Sequence, residues 1–402
     1  MNREAPHAHE ERLHALDLLR ATAMFLGIVL HGALSFIVTP FDWPTHDARR
    51  SFVFDVMVGA IHGFRMQLFF FLAGFFAHLL WQRLGASDFL IQRGKRIGLP
   101  FLLGMSIIVP ACLGLWLWAE ARRGARFARG FMDHLDALNL LTFPTFHLWF
   151  LEMLLMLYGV VAVIAWSGKL VDATSLLARL DHAFEWLMRQ RLKPFLLLPP
   201  TILCLWGGPL FGEVDMMGQH LLLTARAVAY FGLFFCVGWW MHRRTQLLET
   251  LRVWNKTYFA IALIAFLTWG ACNEMRMSPA NAAYFRVKLL ALTAAGLYAW
   301  CMTFAVTGVF LRFANGHQLW KRYLADASYW CYLAHLPLVY FLQIVVASWS
   351  LNPWLKLVFI LTVNIAFLLP SYHWCVRYTW LGRLLNGPRT KPRGALAAQL
   401  GA

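Results

Sequence analysis

Residues 14–31 read HALDLLRATAMFLGIVLH, an apolar segment that contains an arginine, Arg20, and a histidine, His31. In an α-helix each residue turns the chain by about 100° and advances it by about 1.5 Å. Arg20 and His31 would therefore share one helix face, roughly 16 Å apart along the axis. An ionisable side chain inside a membrane span is costly and predicts a functional site. The alternatives are that His31 bonds to a neighbouring helix and that Arg20 reaches the headgroups.

The composition of the whole chain is that of a membrane protein. Its 402 residues are 60% hydrophobic and 14% charged, whereas soluble domains have about 45–50% apolar and about 25% charged residues. Long apolar runs recur and lack the alternation of a β-barrel, so we predict an all-α, polytopic bundle of about ten transmembrane helices. The predicted spans are 15–39, 53–81, 97–118, 147–166, 194–211, 222–241, 257–273, 285–311, 328–348 and 354–376.

The basic residues indicate how these spans are oriented. Lys and Arg are concentrated in alternate connecting segments, and the positive-inside rule then puts both termini in the cytoplasm. We predict a cytoplasmic tail over 1–14, a transmembrane domain over 15–376 and a basic cytoplasmic tail over 377–402. This topology explains much of the net charge of +16 without nucleic acid, and a basic inner face also attracts anionic membrane lipids.

Two further patterns concern the connecting segments and the cysteines. Residues 170–192 have apolar side chains on one side, which predicts an amphipathic helix on the inner surface. The seven cysteines include no C-x-x-C pair, and we interpret them as small buried hydrophobic residues. We therefore predict no metal site and no bound cofactor.

Several polar side chains are predicted to lie inside the spans. Counted from the predicted span ends, His31, His62 and Glu152 lie roughly 8–13 Å below the outer surface. Arg65 lies roughly 18 Å deep, too far from the interface to reach it easily. His335 lies roughly 10 Å from the inner surface. A neutral imidazole can accept a proton from a hydroxyl and return it. For His335 and Glu152 we favour a structural role slightly over a functional one.

A second group of polar residues is predicted at the inner surface. Arg20 stays charged and can hold phosphate oxygens in a bidentate fork. Asp17 lies one turn away and could orient it. The inner loop from Arg93 to Pro100 adds Lys95 and Arg96. These charges either reflect ordinary topology or form a phosphate-binding site beside Arg20.

These segments together resemble the acyltransferase 3 family of integral membrane acyltransferases. The resemblance covers nearly the whole chain and is carried by five segments in order: Arg20 and His31 at the family's spacing, residues 64–76 (FRMQLFFFLAGFF), Arg93-x-x-Arg96 with Pro100, residues 147–151 (HLWFL) and residues 327–338 (ASYWCYLAHLPL). Residues 62–67 (HGFRMQ) most resemble the branch that acts in glucan biosynthesis.

The resemblance implies transfer of an acyl group from cytoplasmic acyl-coenzyme A to a carbohydrate hydroxyl, in a bacterial inner membrane. In the glucan branch the acyl group would be succinyl and the acceptor a periplasmic glucan. His31 would be the catalytic histidine, with Arg65 stabilising negative charge or a donor carboxylate. The residues assigned to donor binding are Arg20, Asp17, Arg93, Lys95 and Arg96, and those assigned to acceptor binding or support are His62, Gln67, His147, Glu152 and His335.

A different class of function is also compatible with charges inside the membrane. A transporter or flippase could move an acyl, lipid or glycan intermediate without covalent chemistry. The sequence contains no evident inverted repeat and no pair of broken helices, and this weakens the transporter hypothesis. On the acyltransferase hypothesis, His31 acts as a general base or carries the acyl group briefly.

Overall fold

The computed structural model is a bundle of helices. It describes residues 6–124, 144–168, 174–208, 212, 224–275, 277–314, 316 and 318–387, with side chains from residue 14 onward. Every regular element within these ranges is helical, so the predicted all-α class is confirmed.

We number the α-helices of the described residues in chain order. They are α1 Pro6–Ala33, α2 Phe52–Arg93, α3 Leu99–Ala121, α4 Trp149–Ser167, α5 Thr174–Arg189, α6 Lys193–Leu196, α7 Leu198–Trp206, α8 Ala225–Arg243, α9 Leu248–Glu274, α10 Tyr284–Phe313, α11 Leu319–Val346, α12 Pro353–Ser371 and α13 Trp380–Asn386.

Six helical segments of the described chain are long and apolar enough to cross a membrane: His14–Phe36, Phe52–Ala121, Phe146–Ser167, Tyr284–Phe313, Leu319–Val346 and Pro353–Val376. The segment Phe52–Ala121 has 70 residues and contains both the second and the third predicted spans. The predicted spans 222–241 and 257–273 coincide with α8 and α9. Large apolar side chains exposed on α3 and α9, such as Leu102 and Ile264, are suited to contact with lipid.

Two predicted elements differ in the structure. The predicted span 194–211 begins as two short helices, α6 and α7. Proline stands in the first turn of each, where its missing N–H is tolerated and from where it disfavours continuation of the preceding helix. The predicted inner loop 93–100 is helical: a π-turn over Gly94–Gly98 leads directly into α3. The chain instead changes direction at Gly85, whose φ of +75° is one that L side chains rarely adopt.

The helices pack through large aromatic side chains and a few small residues. The most extensive pairings join α9 with α10, α2 with α8, and α1 with α11. A Cβ atom on Gly74 would overlap the carbonyl oxygen of Phe235, and one on Gly238 would overlap that of Phe71. Because glycine is present at both positions, the backbones of α2 and α8 can approach closely, as is typical of helices packed in membranes.

The predicted amphipathic helix is α5, and an ion pair attaches it to α8. Asp181 accepts hydrogen bonds from Nε and Nη2 of Arg243 at 2.9 and 2.7 Å, and from Nε1 of Trp240 at 3.1 Å. Arg244 lies 3.6 Å from the same carboxylate. The hydrogen bonds from Arg243 hold the pKa of Asp181 below its ordinary value.

We expect acid to weaken this attachment. The stability that Asp181 contributes is fully present above its ordinary pKa, and it is lost as the pH falls through the lower pKa of the folded protein. Asp181→Asn should lower the free energy of unfolding at neutral pH by about 1–3 kcal/mol and reduce its dependence on acid. Thermal unfolding in detergent between about pH 3 and pH 7 tests this. Glu185→Gln, which removes an ion pair within α5 only, is the control, and an unchanged acid dependence in Asp181→Asn would contradict the prediction.

Candidate active site

The centre of the candidate site is a pair of hydrogen-bonded histidines. Nδ1 of His31 lies 2.7 Å from Nε2 of His335, and Nδ1 of His335 lies 2.7 Å from the carbonyl oxygen of Tyr332. Because a carbonyl oxygen only accepts, a neutral His335 donates from Nδ1 and accepts at Nε2. His31 must then donate from Nδ1, and its Nε2 is left as a proton acceptor. His31 is partly exposed, whereas His335 is buried.

The helix that carries His335 begins earlier than the predicted span 328–348. The helix α11 begins at Leu319 and has 28 residues, so His335 lies near its middle. The apolar run begins later than the helix, because polar residues occupy the first turns of α11.

Arg65 lies beside this pair without a carboxylate partner. Its guanidinium packs against α1 at Gly27, one turn before His31, where a Cβ atom would overlap Nη1. Arg65 is buried, its Nε has no hydrogen-bond partner, and its Nη2 contacts the sulfur of Met66 at 3.4 Å. No ion pair within the described part of the chain includes it. A buried cation in this state is suited to binding an anion or a developing negative charge.

His147 belongs to the same cluster. It was assigned to acceptor binding or support, and it is buried, with its ring centroid 5.0 Å from that of His335. Its Nε2 donates to the carbonyl oxygen of Leu333 at 3.1 Å, and the Tyr332 hydroxyl donates to the carbonyl oxygen of His147 at 2.6 Å. These bonds fix the start of α4 against α11. His147 therefore helps to hold the segment of α11 that carries His335.

The loop over residues 37–51 contacts His31 from the opposite side. Trp43 stacks on the His31 imidazole with ring centroids 6.1 Å apart. Its Nε1 donates to Oε1 of Gln343 at 2.8 Å. Gln343 in turn donates to the carbonyl oxygens of His31 and Gly32, at 2.9 and 3.0 Å, in the last turn of α1. Gln343 thus links the loop, α11 and the histidine-bearing end of α1.

A buried ion pair anchors the same loop to α12. Lys356 Nζ lies 2.5 Å from Oδ2 of Asp47, and the two side chains are 1% and 2% exposed. Removing one partner leaves the other charge buried and unpaired, so Lys356→Met should lower the free energy of unfolding by about 3–5 kcal/mol. Thermal unfolding in detergent tests this.

The matched variant is the double substitution Asp47→Asn with Lys356→Met, which removes both charges. It should be more stable than Lys356→Met alone, because no isolated charge remains. If the single variant were as stable as the parent protein, the ion pair would not hold the loop in place.

The residues assigned to donor binding lie at the other end of α1. Arg20 forms an ion pair with Asp17 at 3.1 Å and lies over the ring of Phe76. The guanidinium of Arg93 lies over the ring of Phe89, which packs edge-on against Tyr158 with ring centroids 5.4 Å apart. The carbonyl oxygen of Arg96 accepts a hydrogen bond from the Tyr329 hydroxyl at 2.9 Å, and Lys95 is exposed.

The remaining assigned residues lie around the second helix. His62 and Gln67 line a small cavity between α2, α4, α8, α9 and α10. Glu152 is buried on α4, and its Oε2 has no hydrogen-bond partner. No group of three metal-ligating side chains occurs among the described residues.

The sequence did not predict four residues that contribute to the site: Trp43, Tyr332, Gln343 and Asp47, which forms the ion pair with Lys356. Lys356 and Gln343 are polar residues inside apolar segments, and that position alone signals a specific partner. The aromatic residues gave no such signal, because aromatic side chains occur throughout this sequence.

Comparisons with known proteins identify the family of the chain. A model of the acyltransferase 3 family, described as an acyltransferase domain, matches residues 13–373. The chain is 34% identical over 98 residues to glucans biosynthesis protein C of Escherichia coli strain SMS-3-5, a match that covers 24% of this chain and 25% of the relative. Glucans biosynthesis protein C of Escherichia coli strain K12 / DH10B is 33% identical over 98 residues, which again cover 24% of this chain and 25% of the relative.

Both matches to curated relatives thus span about a quarter of each protein. No solved structure matches the chain. The family match, in contrast, includes nearly all of the described helices and every residue of the histidine cluster. The chain therefore belongs to the acyltransferase 3 family.

Proposed function

We propose that this protein transfers an acyl group from cytoplasmic acyl-coenzyme A to a hydroxyl of a periplasmic carbohydrate, with a glucan as the first candidate acceptor. The observation that carries the proposal is the His31–His335 pair with the unpaired cation of Arg65 beside it. One base and one anion-stabilising group are what acyl transfer to a hydroxyl requires. The name of the relatives, glucans biosynthesis protein C, supports the choice of acceptor.

The proposed reaction uses His31 as a general base. Its Nε2 takes the proton of the acceptor hydroxyl while the oxygen attacks the thioester carbonyl carbon. The carbonyl oxygen becomes negative, and the guanidinium of Arg65 stabilises it. The C–S bond then breaks, and the proton on Nε2 passes to the leaving thiolate. An ester and free coenzyme A are the products.

His335 is a positioning residue in this scheme. His335 accepts a hydrogen bond from the Nδ1–H of His31. This bond fixes the tautomer of His31 in which Nε2 carries no proton. The carbonyl oxygen of Tyr332 fixes His335 in the same way.

The inner end of α1 supports a role in donor binding. Arg20 lies over the ring of Phe76 and Arg93 over that of Phe89, both on α2, and two guanidinium groups could hold the phosphates of coenzyme A. Arg20 is roughly 16 Å from His31 along the helix, so an extended donor could place its thioester near Arg65. A donor with a terminal carboxylate, such as succinyl-coenzyme A, would gain a further contact if Arg65 bound that carboxylate instead.

We further propose the topology that this chemistry needs. The chain would cross a bacterial inner membrane about ten times. The six long apolar segments would give seven crossings, because Phe52–Ala121 would cross twice. The helices α8 and α9 and the α6–α7 region would add three more. Both termini would be cytoplasmic, with tails over 1–14 and 377–402 on either side of the transmembrane domain 15–376. This arrangement puts Arg20 on the side of acyl-coenzyme A and the loop 37–51 on the acceptor side.

The test uses the purified protein in detergent. Acetyl- and succinyl-coenzyme A are supplied with a soluble glucan, and the release of free thiol and the mass of the glucan are measured. Thiol release that requires the glucan, with a matching mass increase, is the expected result. Folded protein that releases no thiol above background would favour transport of an intermediate, because transport does not consume acyl-coenzyme A.

A further inference from the structure

A small cavity lies beside α2, and its lining residue Met66 contacts Arg65. Its volume is about 30 Å³, and its walls include His62, Gln67, Trp149, Tyr230 and Trp269. A cavity needs a volume of about 10–15 Å³ to hold one water molecule. This cavity therefore admits a group of about two non-hydrogen atoms. Its walls combine aromatic faces with an amide, and no Lys or Arg is among the described residues that line it.

Gln67 is the polar group that makes this cavity a binding site. It is 8% exposed, and Nε2 donates to the Tyr230 hydroxyl at 2.9 Å. Its Oε1 is buried and has no hydrogen-bond partner among the residues that the structure describes. A buried amide oxygen without a partner loses the hydrogen bonds that water would give it. A ligand that donates a hydrogen bond to Oε1 would restore them.

The chemistry of the walls selects the class of ligand. An acyl chain has no hydrogen-bond donor for Oε1, and a phosphate would find no lysine or arginine among the described lining residues. A hydroxymethyl group has two non-hydrogen atoms and an O–H donor, which matches both the volume and the free acceptor. A sugar ring that carries it would present C–H groups to the indoles of Trp149 and Trp269.

The cavity is adjacent to the proposed reaction centre. Met66 lines the cavity, and its sulfur lies 3.4 Å from Nη2 of Arg65. The guanidinium of Arg65 in turn packs against Gly27, one turn before His31. A sugar anchored in the cavity would therefore have its other hydroxyls near the histidine pair. The hydroxymethyl group would be held away from Nε2 of His31, so a ring hydroxyl would be the nucleophile.

We propose that this cavity binds a hydroxymethyl group of the acceptor sugar, with Gln67 Oε1 accepting its hydrogen bond. The inference rests on the proposed function, since it names the acceptor as a hexose-based carbohydrate. It goes beyond that function by assigning the cavity that would distinguish a hexose, which carries the hydroxymethyl group, from a pentose, which lacks it.

The first experiment measures binding without catalysis. The probes are a gluco-oligosaccharide and a xylo-oligosaccharide of equal length and linkage, which differ in the hydroxymethyl group. Calorimetric titration of the full chain should give a dissociation constant about tenfold lower for the gluco-oligosaccharide. Gln67→Leu should remove that difference. Gln246→Leu, at an exposed glutamine, is the matched control and should retain it.

The second experiment measures turnover with both probes. Gln67→Leu should raise KM for the gluco-oligosaccharide about tenfold while kcat stays nearly constant. Equal affinity of the parent protein for the two sugars would overturn the proposal, and so would a Gln67→Leu variant with altered preference among acyl donors. Sugar binding without any thiol release would instead contradict the proposed function and leave the cavity assignment standing.

Discussion

Replacing His31 with alanine is expected to reduce acyl transfer by about a thousandfold or more, while the protein still folds and inserts. General-base catalysis contributes about 10²–10⁴ to a rate, and His31 is the member of the histidine pair whose Nε2 is left as an acceptor. The loss should appear in kcat, because the base acts in the transition state and not in substrate binding. Thiol release and the mass of the acylated glucan give the rate, and size-exclusion chromatography with thermal unfolding reports folding.

Two further histidine variants separate the base from a general effect of losing an imidazole. His335→Ala keeps the base but removes the acceptor for its Nδ1 proton, and we expect about a hundredfold loss. His335→Gln retains an acceptor atom and should recover part of that loss. His182→Ala, at an exposed histidine on α5, should have parental activity. Activity of His31→Ala within tenfold of the parent protein would exclude His31 as the base.

Replacing Arg65 with methionine is expected to reduce kcat by about a hundred- to a thousandfold. Removing a single oxyanion-stabilising donor in a desolvated site has an effect of about this size. The substitution also removes a buried cation that has no carboxylate partner, so we expect little loss of stability or even a gain. Arg65→Lys should recover activity only in part, because an ammonium does not reproduce the planar fork of the guanidinium.

A substitution at Gly27 tests the position of this charge without removing it. The methyl group of Gly27→Ala would occupy the space of Nη1 of Arg65, and the flexible end of the arginine can move aside. We therefore expect a clear loss of kcat with unchanged or slightly raised stability, since alanine favours a helix more than glycine does. Gly114→Ala, whose added methyl group would meet open space, is the control. Full activity of both Arg65→Met and Gly27→Ala would show that Arg65 does not act at the reaction centre.

The sequence alone determined the class of the protein, the place of most helices and the family. Apolar length and charge distribution are local properties, and a membrane leaves the backbone few structures other than helices. The placement of Arg20 and His31 on one face also followed from helix geometry. Two predicted helix boundaries differ from the structure: those near the prolines of 194–206 and those near the helical segment 86–100. At both places the ends of an apolar run are not the ends of a helix.

Only the tertiary structure decided which polar groups meet. His31 and His335 are 304 positions apart and Asp47 and Lys356 are 309 apart, and no local pattern encodes such pairings. They depend on the register and closeness of packed helices, which small residues such as Gly27, Gly74 and Gly238 control through contact with another element. The sequence therefore supplied the candidate groups, and the packing of α1 against α2 and α11 selected the histidine pair and the unpaired arginine from among them.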